Sequence, residues 1–141
     1  MKENFTELLV KLRLLALYYQ TAHWTVKGSL FYQDHLLFER LYNAVAGEID
    51  EVAERAIGLS GDRAVVRLSD ILEKVAEESK KLRYEPRENV EFVQEAIEME
   101  KSLIAFLESA AKEVSLGAND LMASVASAHE GNLYLLNQRL K

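Results

Sequence analysis

Imidazole and carboxylate are the strong donors with which a protein lacking cysteine holds iron, manganese or zinc, and this chain gathers them in one stretch. Residues 23–55, HWTVKGSLFYQDHLLFERLYNAVAGEIDEVAER, hold two of the three histidines, the one tryptophan, and carboxylates at Glu39, Asp50 and Glu54. If Phe31 to Gly58 is one helix, His35 and Glu39 lie four residues apart on one face, and Asp50 and Glu54 repeat that spacing further on. Each pair can grip an ion. The two pairs cannot share one within a chain, because His35 and Asp50 are fifteen positions apart, roughly 22 Å along the axis at ~1.5 Å per residue. His23 ends the preceding helix, and the turn at Gly28 and Ser29 folds it back beside His35. One chain therefore offers His23, His35 and Glu39 at one end of the second helix, and Asp50 with Glu54 at the other. An antiparallel, two-fold-related copy brings the second set onto the first, so the spacing predicts two metal sites per dimer, each shared between subunits.

Each residue also has a plainer reading. A lone histidine at position 35 reads as a core side chain; the company of His23 and three spaced carboxylates reverses that. Glu39 has Arg40 and Lys27 as surface ion-pair candidates, Asp50 and Glu54 can be solvated, and Arg55 can offset their repulsion. Trp24 reads as packing, and His129, without such company, as core or interface. Glu113 and Asp120 are candidates for an acidic entry pore, although helix capping accounts for Asp120.

The elements that must position these groups are helices. One Pro and six Gly in 141 residues, with Ala, Leu, Glu and Lys plentiful, favour an all-α fold. Asn4 with Glu7 three residues on forms a capping-box pattern, after which Phe5, Leu8, Leu9, Leu12, Leu15, Ala16 and Tyr19 keep a 3.6 period that His23 continues. The second helix repeats it at Phe38, Leu41, Tyr42, Val45, Ile49, Val52 and Ala56 until Gly58 and Gly61. Residues 59–85 are too long for a tight hairpin and carry a short helix that Ser69 can cap. Pro86 opens a third helix running through Phe92, Val93, Ile97, Leu103 and Leu107 to a break at Gly117. Asn119 or Asp120 caps a fourth, with Leu121, Met122, Val125, Leu133 and Leu136. Four long helices with one long central crossover describe a ferritin-like four-helix bundle with a short helix between its second and third helices.

Composition bounds the rest. At 141 residues and 49% hydrophobic the chain suits one domain, residues 1–141. The absence of cysteine excludes disulfides, thiolate nucleophiles and cysteine-zinc sites and fits a reducing cytosol. No signal pattern precedes Phe5, and the run Leu14 to Tyr19 is far short of a membrane span, so a soluble, cytoplasmic protein is expected. With Lys plus Arg at 17 against 23 Asp plus Glu, the net charge is −6. A basic N-terminal tail is not expected, since only Lys2 stands before the first helical pattern. The net negative charge repels a phosphate backbone, and direct DNA binding is not expected.

The same stretch resembles the ferroxidase signature of the Dps family of miniferritins. The matching residues are His23-Trp24, Val26, Gly28, Phe31, His35, Phe38-Glu39, Tyr42, Asp50 and Ala53-Glu54-Arg55, with His129-Glu130 a weaker likeness in the last helix. The resemblance implies a hollow shell of twelve subunits built from two-fold dimers. It implies Fe(II) bound between subunits, oxidised preferentially by hydrogen peroxide, and stored inside as Fe(III), protecting against oxidative damage. His23, His35 and Glu39 then come from one subunit and Asp50 and Glu54 from its partner, the set that the helical rise requires independently. Two departures leave the ligands intact: Asp34 precedes the second histidine where relatives are apolar, and Thr25 follows Trp24 where Asn is common. The acidic cluster that nucleates mineral in some relatives falls on Leu36, Arg40 and Asn43 here, which implies weak nucleation.

Two other classes use the same donor types. A di-iron site inside one bundle needs Glu-x-x-His on two helices, but the positions three before His23, His35 and His129 are Gln20, Tyr32 and Ala126. A non-catalytic helical assembly holding structural zinc or iron, or with manganese at the same ligands, uses the same donor types.

Overall fold

The computed structural model describes residues 2–83 and 87–141. Among the described residues five α-helices form, α1 Lys2–Thr25, α2 Phe31–Ser60, α3 Leu68–Ser79, α4 Asn89–Ala110 and α5 Leu116–Leu140, with 3₁₀ turns at Arg63–Val66 and Ala111–Glu113. No strand forms among the described residues. The helices form because apolar side chains recur at helical spacing and fill one shared interior. Phe5, Leu8, Leu12 and Tyr19 of α1 meet Phe38, Leu41, Val45 and Val52 of α2, Phe92, Val93 and Leu107 of α4, and Met122 and Leu136 of α5, all buried. Each such side chain contributes on the order of 1.5–3 kcal/mol through burial. α1 pairs most extensively with α2 and α4 with α5, while α3 lies against α1 within the crossover. This is the expected ferritin-like bundle with a short helix in its long connection.

Helix ends differ from the sequence reading, each for a local reason. α1 already includes Lys2, so Asn4 sits inside its first turn and caps nothing. α2 runs past Gly58 and stops at Gly61, whose φ of 68° is left-handed and whose N–H donates to the Ile57 carbonyl at 2.8 Å; glycine takes that conformation without a Cβ penalty. α3 begins at Leu68, leaving Ser69 in its first turn rather than at its cap. Pro86 lies outside the described residues, and α4 begins at Asn89 with a capping box between Glu88 and Glu91. The break before α5 falls at residues 111–115, and Gly117 is helical. Ser115, not Asn119 or Asp120, caps α5, its Oγ accepting the Ala118 N–H at 3.2 Å. Asn119 instead donates to the Ala111 carbonyl at 2.9 Å, satisfying an acceptor at the end of α4. No helix among the described residues is long and apolar enough to cross a membrane.

Candidate metal centre

The last turn of α1 and the first turns of α2 carry the two histidines, joined by the short connection over residues 26–30. Gly28 has a φ of 84°, a conformation that lets the chain reverse tightly, and its carbonyl accepts the Phe31 N–H at 3.0 Å. The reversal stacks the His23 and His35 rings with centroids 3.7 Å apart and planes 17° from parallel. Phe31 stacks on the other face of the pair at 4.9 Å from His35, and Tyr42 meets His23 edge-on at 5.3 Å.

Backbone contacts determine the state of both rings. His23 Nδ1 lies 2.8 Å from the His35 carbonyl, and His35 Nδ1 lies 2.8 Å from the His23 carbonyl. A carbonyl can only accept, so each Nδ1 carries a proton and donates. In the neutral ring the lone pair then belongs to Nε2, which makes no hydrogen bond or ion pair among the described residues. This is how proteins prepare imidazole for a metal: one nitrogen is held by a backbone acceptor, which sets tautomer and orientation for the other.

The carboxylates are placed as the helical rise requires. α2 is unbroken from Phe31 to Ser60, so Glu39 lies one turn beyond His35 while Asp50 and Glu54 lie far down the same rod. Glu39 is half-buried, and Asp50 and Glu54 are exposed. Among the described residues none of the three makes a side-chain hydrogen bond or ion pair, so the surface pairings considered for Glu39 with Arg40 or Lys27, and for Arg55, do not form. One chain therefore brings His23 and His35 together with Glu39 near, and keeps Asp50 and Glu54 away. Among the described residues no group of three or more His, Asp or Glu side chains is arranged to hold a metal ion. Large apolar side chains flank the histidines on the surface, Trp24 at 64% exposure and Tyr32 at 71%, with Leu30, Phe31 and Leu36 also exposed. Such a surface is unusual on a chain that stays alone.

A second polar constellation escaped the sequence reading. His129, expected in the core or at an interface, is fully buried in the bundle. Its Nδ1 donates to Glu100 at 2.5 Å and its Nε2 to Glu48 at 3.0 Å. The Tyr19 hydroxyl and the Asn132 amide, the latter at 3.1 Å, donate to the other Glu100 oxygen. The cluster ties α1, α2, α4 and α5 together at mid-bundle. Burial pulls the His129 pKa down, but hydrogen bonds and charge from Glu100 and Glu48 outweigh it and raise the value to about 9. The imidazole is thus a cation held between two carboxylates at neutral pH. Burial also pushes the Tyr19 hydroxyl well up, reinforced by the Glu100 charge, so it remains a donor. Glu100, a charge on the otherwise apolar stripe of Ile97, Leu103 and Leu107, is the sequence feature that could have pointed to the site.

The model of the ferritin-like domain matches residues 2–125. General stress protein 20U of Bacillus subtilis is 39% identical over 70 residues, half of this chain and 43% of that protein. DNA protection during starvation protein 2 of Bacillus anthracis is 43% identical over 51 residues, 36% of this chain and 34% of that one. Each of these matches spans less than half of the relative's own length. The structure of Dps from Thermosynechococcus elongatus superposes with a TM-score of 0.88 at 24% identity, covering 99% of this chain and 89% of that one, which shows a shared fold.

Proposed function

The chain belongs to the ferritin-like family, and from that premise we propose that it is a Dps-type member that oxidises Fe(II) at sites shared between two copies and stores the Fe(III) product in a hollow homo-oligomeric shell. His23, His35 and Glu39 of one copy and Asp50 and Glu54 of the other are the proposed iron ligands. The observation that carries this reading is the stacked histidine pair with both Nδ1 atoms held by backbone carbonyls, because a pair of core histidines with no metal to bind has no need to keep both Nε2 atoms uncommitted. The exposed aromatic surface around the pair supports a second copy as its cover, and a closed two-fold contact meets the distance constraint on Asp50 and Glu54.

Iron is the substrate. Carboxylates balance the charge that iron gains on oxidation, and neutral imidazoles bind without adding charge. Two Fe(II) ions give one electron each to hydrogen peroxide, which with two protons yields two waters and no hydroxyl radical. A shell of twelve copies in the cytoplasm is the proposed assembly. The net charge of −6 argues against the DNA partnership that the name of the B. anthracis relative suggests.

Stopped-flow absorbance after mixing the purified protein with Fe(II) and peroxide tests the proposal. Rapid formation of Fe(III), lost in His35→Ala and in Asp50→Ala, is expected. A rate no faster than buffer overturns it and leaves a helical assembly holding zinc, manganese or iron at the same ligands.

A further inference from the structure

The residue just before His35 is Asp34, a carboxylate with no exposure to solvent. It accepts Arg139 Nε at 2.6 Å and Arg139 Nη2 at 2.9 Å, a fork from the last turn of α5. A third donor is Asn89 Nδ2 at 3.0 Å, from the first residue of α4. Asn89 also pairs with the Lys27 peptide on both sides, accepting its N–H at 3.0 Å and donating to its carbonyl at 2.8 Å. Lys27 lies four residues after His23, and Asp34 one before His35. One amide and one guanidinium from the far half of the chain therefore pin both ends of the connection between the histidines. That connection fixes the two carbonyls that hold Nδ1 of each ring, since each ring bonds to the backbone of the other histidine.

We propose that Asp34, Arg139 and Asn89 are positioning residues for the histidine pair, a clamp that makes the ligand geometry at the α1–α2 turn depend on where α4 begins and α5 ends. The proposal rests on the reading of His23 and His35 as iron ligands. An apolar residue at position 34 would also fold against the bundle, but it would leave the turn without its three charge-assisted or polar anchors, and the ring orientation would loosen. Partners that orient metal-binding imidazoles typically change metal affinity by roughly 10- to 100-fold when removed.

The experiment uses the assembled protein with Co(II) alone as probe, read by its visible absorption, and ¹⁵N NMR of the histidine rings without metal. Asp34→Asn and Arg139→Gln are expected to weaken Co(II) binding by about 10- to 100-fold and to release the fixed Nδ1–H tautomer of His23 and His35. Arg139→Lys, which keeps the charge but not the fork, gives a smaller weakening. Leu107→Ala, a cavity in the core away from the turn, lowers the melting temperature without changing Co(II) affinity. The clamp is refuted if Asp34→Asn and Arg139→Gln keep wild-type affinity and tautomers, or if Leu107→Ala weakens Co(II) binding as much as they do. Failure of the unsubstituted protein to bind Co(II) sinks the ligand reading instead, and the tautomer measurement still decides the clamp.

Discussion

Replacing His129 by leucine removes the cation from between Glu100 and Glu48, and the loss should far exceed that of one side chain's contacts. Glu100 is fully buried and takes hydrogen bonds from Tyr19, Asn132 and His129; without the imidazolium its charge has no counter-ion. Breaking a buried pair from one side costs about 3–5 kcal/mol. In a chain of this length one kcal/mol moves the melting temperature by roughly 3–4 °C, so a fall of about 10–20 °C is expected. The double variant His129→Leu, Glu100→Leu removes the imidazolium and its fully buried partner and leaves only the partly exposed Glu48, and replacement of a buried pair by apolar side chains is often close to neutral. It loses the acceptor for Tyr19 and Asn132, at about 1–3 kcal/mol for each group left unsatisfied, and should still be more stable than the single variant. Urea and thermal unfolding at pH 7 and fixed protein concentration make the comparison. A single variant within about 1 kcal/mol of the parent, well below the cost of a stranded buried charge, or a double variant less stable than the single, would refute the ion-paired cluster.

The same histidine sets a pH dependence. Its folded pKa of about 9 stands above the usual 6.5, so its stabilisation is fully present below about 6.5 and is lost as pH rises through about 9, a change of at most roughly 3 kcal/mol. Melting temperature should fall between neutral pH and about pH 10; a flat profile, or the same fall in His129→Leu, contradicts this. Gly61→Ala places a Cβ on a backbone with φ of 68° and should cost about 1 kcal/mol, read from urea midpoints; an unchanged midpoint would show that the C-cap relaxes. Ser115→Ala removes the α5 cap and should also cost about 1 kcal/mol, whereas Asp120→Ala should cost little, the reverse ranking being the adverse result.

Helix periodicity made the bundle legible, because Phe5 to Tyr19 and Phe38 to Ala56 repeat an apolar face that only a helix can bury on one side. The histidine pair was legible for the same reason, since a glycine-bearing turn of known length between two such helices leaves little choice about which side chains meet. Caps were read less well. Ser, Asn and Asp crowd the start of α5, and which one caps depends on the extended backbone of Ser115 and on the unsatisfied Ala111 carbonyl that claims Asn119. The partners of His129 and Asp34 were out of reach for another reason: Glu100, Glu48 and Arg139 approach them from helices distant in sequence, and local pattern carries no information about such pairing. Glu100 on its apolar stripe, and Asp34 where relatives are apolar, are the cues a sequence reading could have used, because a buried charge must be neutralised.

Shared ligation is tested most directly by mixing two inactive subunits. One carries His23→Ala and His35→Ala, the other Asp50→Ala and Glu54→Ala, and the two are coassembled in equal amounts. In a mixed dimer one site lacks both sets and the other is intact, and half of randomly formed dimers are mixed, so about a quarter of the parent's sites should return. Recovery of rapid Fe(II) oxidation to about that level is the expected result. No activity in any mixture, when each subunit still assembles, would contradict a centre built from the imidazoles of one copy and the carboxylates of another.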